Sequence, residues 1–99
     1  MPKPEKEVQR DIIKYVRSRG GWVIKVMVAN ERGCPDLLIC LEGMFIGCET
    51  KAGRFIPNPI KQASAWQKRH LEAIKEAKGI AMCVASLEQF KLTISDYAI

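Results

Sequence analysis

Asp36, Glu49 and Lys51 have the types and the spacing to do chemistry together. Asp36 precedes the apolar run Leu37 to Leu41. Glu49 and Lys51 follow the run Met44 to Cys48, and only Glu42-Gly43 separates the two runs. Short runs rich in Ile, Leu, Phe and Cys read as strands. A Gly in second place of a two-residue connection supplies the positive φ of a tight hairpin. The spacing therefore predicts a β-hairpin in which Leu41 pairs with Met44, Ile39 with Ile46 and Leu37 with Cys48. One step further out, Asp36 lies opposite Glu49. Cross-strand neighbours stand about 4.5–5.5 Å apart at Cβ, where two carboxylates repel and weaken the hairpin. A divalent cation held between them reverses that sign. Lys51 emerges on the same strand face as Glu49, roughly 6.6–6.8 Å further along. A three-residue turn would dissolve this pairing.

Asp36 within Gly33-Cys34-Pro35-Asp36-Leu37, followed by Glu49-Thr50-Lys51, resembles the PD-(D/E)xK nuclease superfamily. The whole set is similar to its VRR-NUC branch, the virus-type replication-repair nuclease domain. That branch shows a Glu on a first helix, then G-x-P-D-L, E-x-K and a Gln on the next helix. Here Glu7, the two motifs just given and Gln67 stand in that order and span most of the chain. The resemblance implies a restriction-endonuclease-like core and hydrolysis of DNA phosphodiester bonds with Mg²⁺ or Mn²⁺. It implies a catalytic set of Asp36, Glu49, Lys51, Gln67 and Glu7. The metal would be held by Asp36, Glu49, the Thr50 carbonyl and, often through water, Glu7. The residue types suit that chemistry. Hard cations take oxygen ligands, a bound metal polarises a phosphodiester and acidifies water, and a lysine offsets charge growing on a phosphorane.

The outlying residues also have plainer explanations. An acid near a helix N-terminus, such as Glu7, is favoured by the helix dipole. Gln67 falls in line with Leu71 and Ile74, the apolar stripe of its helix, so its amide needs a partner. Yet Ser64-x-x-Gln67 is also a capping box, and both roles require the helix to begin at Ser64. Trp66 reads as core packing, Phe55 as cover for the core, and His70 as a partly exposed helix residue near phosphates.

The elements that must position these groups follow from pattern. Glu5 to Arg19 reads as a helix, with Pro4 suited to its first turn and Gly20-Gly21 ending it. Val8, Ile12, Tyr15 and Val16 recur along it at helical spacing. Residues 22–29 form a strand with β-branched bias. Gly53, Pro57 and Pro59 predict a loop after Lys51. A second helix starts at Asn58-Pro59 or at Ser64 and runs to about Lys78. Ile80 to Ala85 is a fourth strand, and Leu87 to Ser95 a last helix capped by Ser86, with Ser86-x-x-Gln89 as a capping box. The order αβββαβα predicts an α/β fold, a mixed β-sheet flanked by helices. The helical crossover makes the third and fourth strands parallel.

Ninety-nine residues, 47% hydrophobic and 27% charged, are the size and composition of a single globular domain. No apolar run approaches the roughly 18 residues of a membrane helix, and the polar N-terminus shows no secretory pattern. Membrane partners are therefore not expected. The four cysteines form no CxxC pair and there is a single histidine, which argues against zinc. Cys40, Cys48 and Cys83 fall in apolar strands and read as buried free thiols in a reducing cytoplasm. The net charge of +5 favours a polyanionic partner, DNA first. Lys14, Arg17, Arg32, Arg54, Lys61, Lys68 and Arg69 are candidate contacts to its backbone. One site per chain predicts a homodimer for symmetric cutting of two strands. The resemblance implies a structure-selective endonuclease of replication, repair or recombination, acting on junctions or flaps, and a phage origin. Three rivals remain: a catalytically inactive nucleic-acid-binding module, a restriction-type endonuclease that reads sequence, and an interaction protein with incidental charges.

Overall fold

The computed structural model describes residues 1–99. Its elements are α1 (Glu5–Ser18), β1 (Trp22–Lys25), β2 (Leu37–Leu41), β3 (Met44–Thr50), α2 (Ala65–Glu76), β4 (Ile80–Val84) and α3 (Leu87–Ser95). Short 3₁₀ turns at Gly53–Phe55 and Pro59–Gln62 fill the connection from β3 to α2. The strands form one mixed sheet in the order β1-β2-β3-β4. The first two pairings are antiparallel, and β3–β4 is parallel because α2 carries the chain back between them.

The β2–β3 hairpin takes the register its turn length dictates: Leu41 opposite Met44, Ile39 opposite Ile46, Leu37 opposite Cys48. Glu42 and Gly43 take φ of 51° and 79°, the paired positive values whose twist matches the flanking strands. Alternation then sorts the side chains. Leu37, Ile39, Leu41, Ile46, Cys48, Ile80, Met82 and Val84 point to one face, where Val8, Ile12 and Val16 of α1 and Phe90 and Ile94 of α3 close over them. The opposite face is covered only over β3 and β4, by α2. Beyond α2 that face is open. Trp22, Cys40 and Phe45 run across it in register, and Trp22, Phe45, Ile24 and Cys40 are all exposed.

Several sequence expectations are corrected here. The strand predicted over 22–29 ends at Lys25. Lys25 pairs with Leu37, the first residue of β2, and only one further bond (Val26 N to the Asp36 carbonyl, 2.8 Å) remains. Met27 and Val28 have no sheet to join and are exposed, so β propensity is overridden by the lack of a partner. The second helix begins at its Ser64 cap, after Ala63 in extended backbone, and not at Asn58. The Ser86 cap of α3 is half of the expected box: Ser86 Oγ accepts from Gln89 N, while Gln89 Oε1 accepts from Ala85 N. Cys40 is exposed because no helix covers its strand face. Trp66 is 48% exposed; it lies with Arg69, His70 and Ala73 on the flank of α2, beside the Leu71–Ile74 stripe.

Candidate active site

The open end of the hairpin is tied together by Asp36. Its Oδ2 accepts from the Thr50 backbone N at 3.0 Å and from Thr50 Oγ1 at 2.7 Å. Asp36 thus reaches across to the strand that carries Glu49 and Lys51. Glu49 is only 2% exposed. Its Oε2 accepts from Gln67 Nε2 at 2.6 Å and faces Lys51 Nζ at 3.4 Å. Lys51 Nζ also donates to Gln67 Oε1 at 3.2 Å.

Gln67 does two things at once. Its Oε1 accepts from Ser64 N at 2.9 Å, and its own backbone N donates to Ser64 Oγ at 3.1 Å. The capping box and the contact with Glu49 and Lys51 are therefore simultaneous. The start of α2 is pressed onto the loop before Asp36. At Gly33, with φ of +80°, a Cβ would lie 2.5 Å from the Trp66 carbonyl carbon and 2.7 Å from Gln67 N. Only glycine lets the two backbones meet that closely.

The electrostatics follow from burial. Desolvation first, and the negative field of Asp36 second, push the Glu49 carboxyl up to about 7, with Lys51 and the Asp36 backbone N–H pulling it back. Glu49 Oε1 is buried and has no hydrogen-bond partner. A buried carboxylate oxygen short of a full hydrogen bond is costly. This donor set fits the divalent cation that the resemblance implies. No three His, Cys, Asp or Glu side chains are gathered into a cage. The remaining positions would fall to a backbone carbonyl and to water, an arrangement Mg²⁺ accepts readily.

On α1 the residue register differs from the expectation. Glu7 makes no hydrogen bond to this cluster, and its field falls on Lys3, which is bonded to Asp11. The α1 residues that meet the site are Glu5 and Gln9. Burial first and the Asp36 field second raise the Glu5 carboxyl, while Lys51 and Lys25 lower it. Gln9 Nε2 donates to Thr50 Oγ1 at 2.8 Å and to Glu5 Oε2 at 3.3 Å. The physical reason is helical phase. Val8, Ile12 and Val16 face the sheet, which turns positions 5 and 9 the same way and puts Glu7 about 200° around the axis from Glu5. The signal was present in the sequence: Gln9 lies in line with Ile12 and Val16, a polar residue on an apolar stripe, as Gln67 does on α2.

All seven candidate DNA-contacting cations are exposed, but they do not form one patch. Arg32 and Arg69 line a single cleft with Trp66. Arg54 stacks over Phe55 at 4.7 Å, and Phe55 is half-buried beside the Lys51 exit. Lys61 lies on the second 3₁₀ turn, and Lys68 borders a groove against β4. Lys14 and Arg17 stand towards the far end of α1, roughly 14 and 18 Å along the helix from Glu5.

A mixed four-stranded sheet with helices on both faces, bearing Asp36 and Glu49-Thr50-Lys51 at the open end of its central hairpin, is an α/β fold of the restriction-endonuclease-like class. A solved structure described as a VRR_NUC domain superposes on it with a TM-score of 0.77 and 25% sequence identity, over 96% of this chain and 98% of that one. The resemblance read from the motifs therefore extends to the whole fold. No protein-family model matches the sequence, and no curated protein matches it. No helix is long and apolar enough to cross a membrane.

Proposed function

We propose that this protein is a metal-dependent nuclease that hydrolyses DNA phosphodiester bonds, acting inside the cell as a structure-selective endonuclease on junctions or flaps. The observation that carries this reading is the convergence of Asp36, Glu49, Lys51 and Gln67 at one end of one hairpin, with a buried carboxylate oxygen left without a partner. The likeness to a VRR_NUC domain structure supports it.

Asp36, Glu49 and the Thr50 carbonyl would hold Mg²⁺ or Mn²⁺. When bound, the ion supplies charge against the scissile phosphate and acidifies an attacking water. Lys51, fixed by Glu49 and Gln67, sets an ammonium against the phosphate oxygens, where it offsets the charge that develops on the phosphorane. Gln67 holds Glu49 and Lys51 in register with each other. Gln9 holds the Thr50 hydroxyl, which in turn holds Asp36. Glu5 adds a third carboxylate at the edge, in the role first expected of Glu7.

A second copy of the chain would complete the enzyme for symmetric cutting of two strands. The uncovered sheet face with Trp22, Ile24, Cys40 and Phe45 supports it, because exposed contiguous apolar surface marks interfaces.

The test is cleavage of end-labelled single strands, duplexes, flaps and four-way junctions with Mg²⁺, Mn²⁺ or EDTA, for wild type, Asp36→Asn and Lys51→Ala. Metal-dependent cutting lost in both variants establishes the site, and the substrate ranking names the preferred structure. Tight DNA binding with no cutting under either metal refutes the enzyme and leaves a nucleic-acid-binding module.

A further inference from the structure

We propose that the cleft beside Trp66 is a stacking site for an unpaired DNA base next to the scissile phosphate; the inference rests on the nuclease reading and names what that site selects. The cleft, of about 410 Å³, is lined by Glu31, Arg32, Trp66, Arg69, His70 and Ala73. Its size falls within the roughly 300–1,000 Å³ of small-ligand sites. Trp66, Arg69, His70 and Ala73 are spaced three or four apart and form one flank of α2; Glu31 and Arg32 come from the loop that ends at Asp36.

The position ties the cleft to the chemistry. Trp66 directly precedes Gln67, whose amide holds both Glu49 and Lys51. The Trp66 backbone is in turn wedged against Gly33, three residues before Asp36. On this proposal a nucleotide seated on Trp66 neighbours the one whose phosphate meets Glu49 and Lys51.

The chemistry selects a base over a phosphate. Arg69 stacks against the indole at 5.1 Å, which fixes the ring, while about half of Trp66 stays exposed. Exposed aromatic rings beside guanidinium groups stack bases of any sequence. Glu31, 3.4 Å from His70, puts a carboxylate on the rim, where it accepts from a base amino group. Inside a duplex both faces of a base are already stacked, so the site takes a base where pairing ends. Arg32 is left to meet the flanking phosphate.

The experiment is fluorescence anisotropy in EDTA with a splayed-arm duplex and a blunt duplex of the same sequence, for wild type, Trp66→Ala and Trp66→Phe. Trp66→Ala is expected to weaken the splayed-arm complex about tenfold, the scale of one base–aromatic stack, and to leave the blunt duplex unchanged. Trp66→Phe is expected to keep most of the affinity. A 2-aminopurine at the first unpaired position should change its emission on binding wild type and not Trp66→Ala. Equal loss on both DNAs, or no loss on either, overturns the proposal. Binding is read without metal. A wild type that grips splayed arms through Trp66 yet cuts nothing would refute the nuclease and support the stacking site. Cutting that is indifferent to Trp66→Ala would do the reverse.

Discussion

At the tip of the β2–β3 hairpin, Glu42 pairs with Arg19, just past the end of α1; at the open end, Glu49 pairs with Lys51 under α2. Both are carboxylates beside a cation on the same hairpin. Glu42 is 54% exposed and Glu49 2%. A pair like the first contributes roughly 0–1 kcal/mol because water screens it. In the second, removal from water costs more than the neighbouring ammonium returns, and the carboxyl is pushed up to about 7. The two glycines tell the same story. Gly43 at the tip and Gly33 at the open end have nearly identical φ, +79° and +80°. Nothing lies within 4 Å of a Cβ on Gly43, whereas one on Gly33 meets the backbone of α2. What separates the ends is the cover above them. A helix seated on the open end takes the carboxylate out of water and brings two backbones into contact.

Glu49→Gln attacks that contrast most directly. Cleavage should fall by a factor of about 10²–10³ or more, the scale of losing one group that stabilises transition-state charge. The metal-free protein should nevertheless become more stable above pH 7, by about 1–3 kcal/mol, since a buried charge is removed. The sign follows from the carboxyl. It titrates at about 7 in the fold and at the ordinary 4.5 outside it. Between those values the native chain keeps a proton that the unfolded chain releases. Stability from Glu49 therefore falls as pH rises through that window and stays low above it. Melting temperatures in EDTA from pH 5 to 8 should show the decline in wild type and lose it in Glu49→Gln. A wild-type curve flat across this range would mean that cover does not set the difference between the ends.

The paired glycines sharpen the contrast next. Gly33→Ala should cost about 2–4 kcal/mol, from left-handed backbone strain plus overpacking against Trp66 and Gln67. Gly43→Ala should cost about 1–2 kcal/mol, from backbone strain alone. Urea denaturation of the two variants decides it, and equal losses would break the comparison. Gln67→Ala should remove about 1 kcal/mol through the lost capping box and lower cleavage far more than so small a stability change explains. Glu42→Gln, the control at the tip, should shift stability by less than about 0.5 kcal/mol and leave cleavage unchanged.

Much of this was legible in the chain because it rests on local rules. The two-residue turn at Glu42-Gly43 sets the β2–β3 register, and that register delivers Asp36 opposite Glu49. Element order alone makes β3 and β4 parallel. The failures came where tertiary context decides. Residues 26–29 have strand propensity, but β2 starts too late to pair them. On α1 the phase of Val8, Ile12 and Val16 points Glu5 and Gln9 at the sheet, whereas the motif spacing singles out Glu7. Trp66 has the residue type of a core position, although the phase of Leu71 and Ile74 leaves it on the flank. Cys40 faces outward because three helices cannot cover both sides of four strands, and sequence pattern does not say which strand stays bare.

The two roles of the Gln67 amide have a consequence for regulation. The atom that receives Ser64 N at the head of α2 is the atom that receives Lys51 Nζ. Unwinding the first turn of α2 would release Lys51 and Glu49 in the same motion, so under the proposed function the helix start would act as an interlock on the site. A change at that turn, such as Ser64→Ala, would then reach the proposed site without touching Asp36, Glu49 or Lys51.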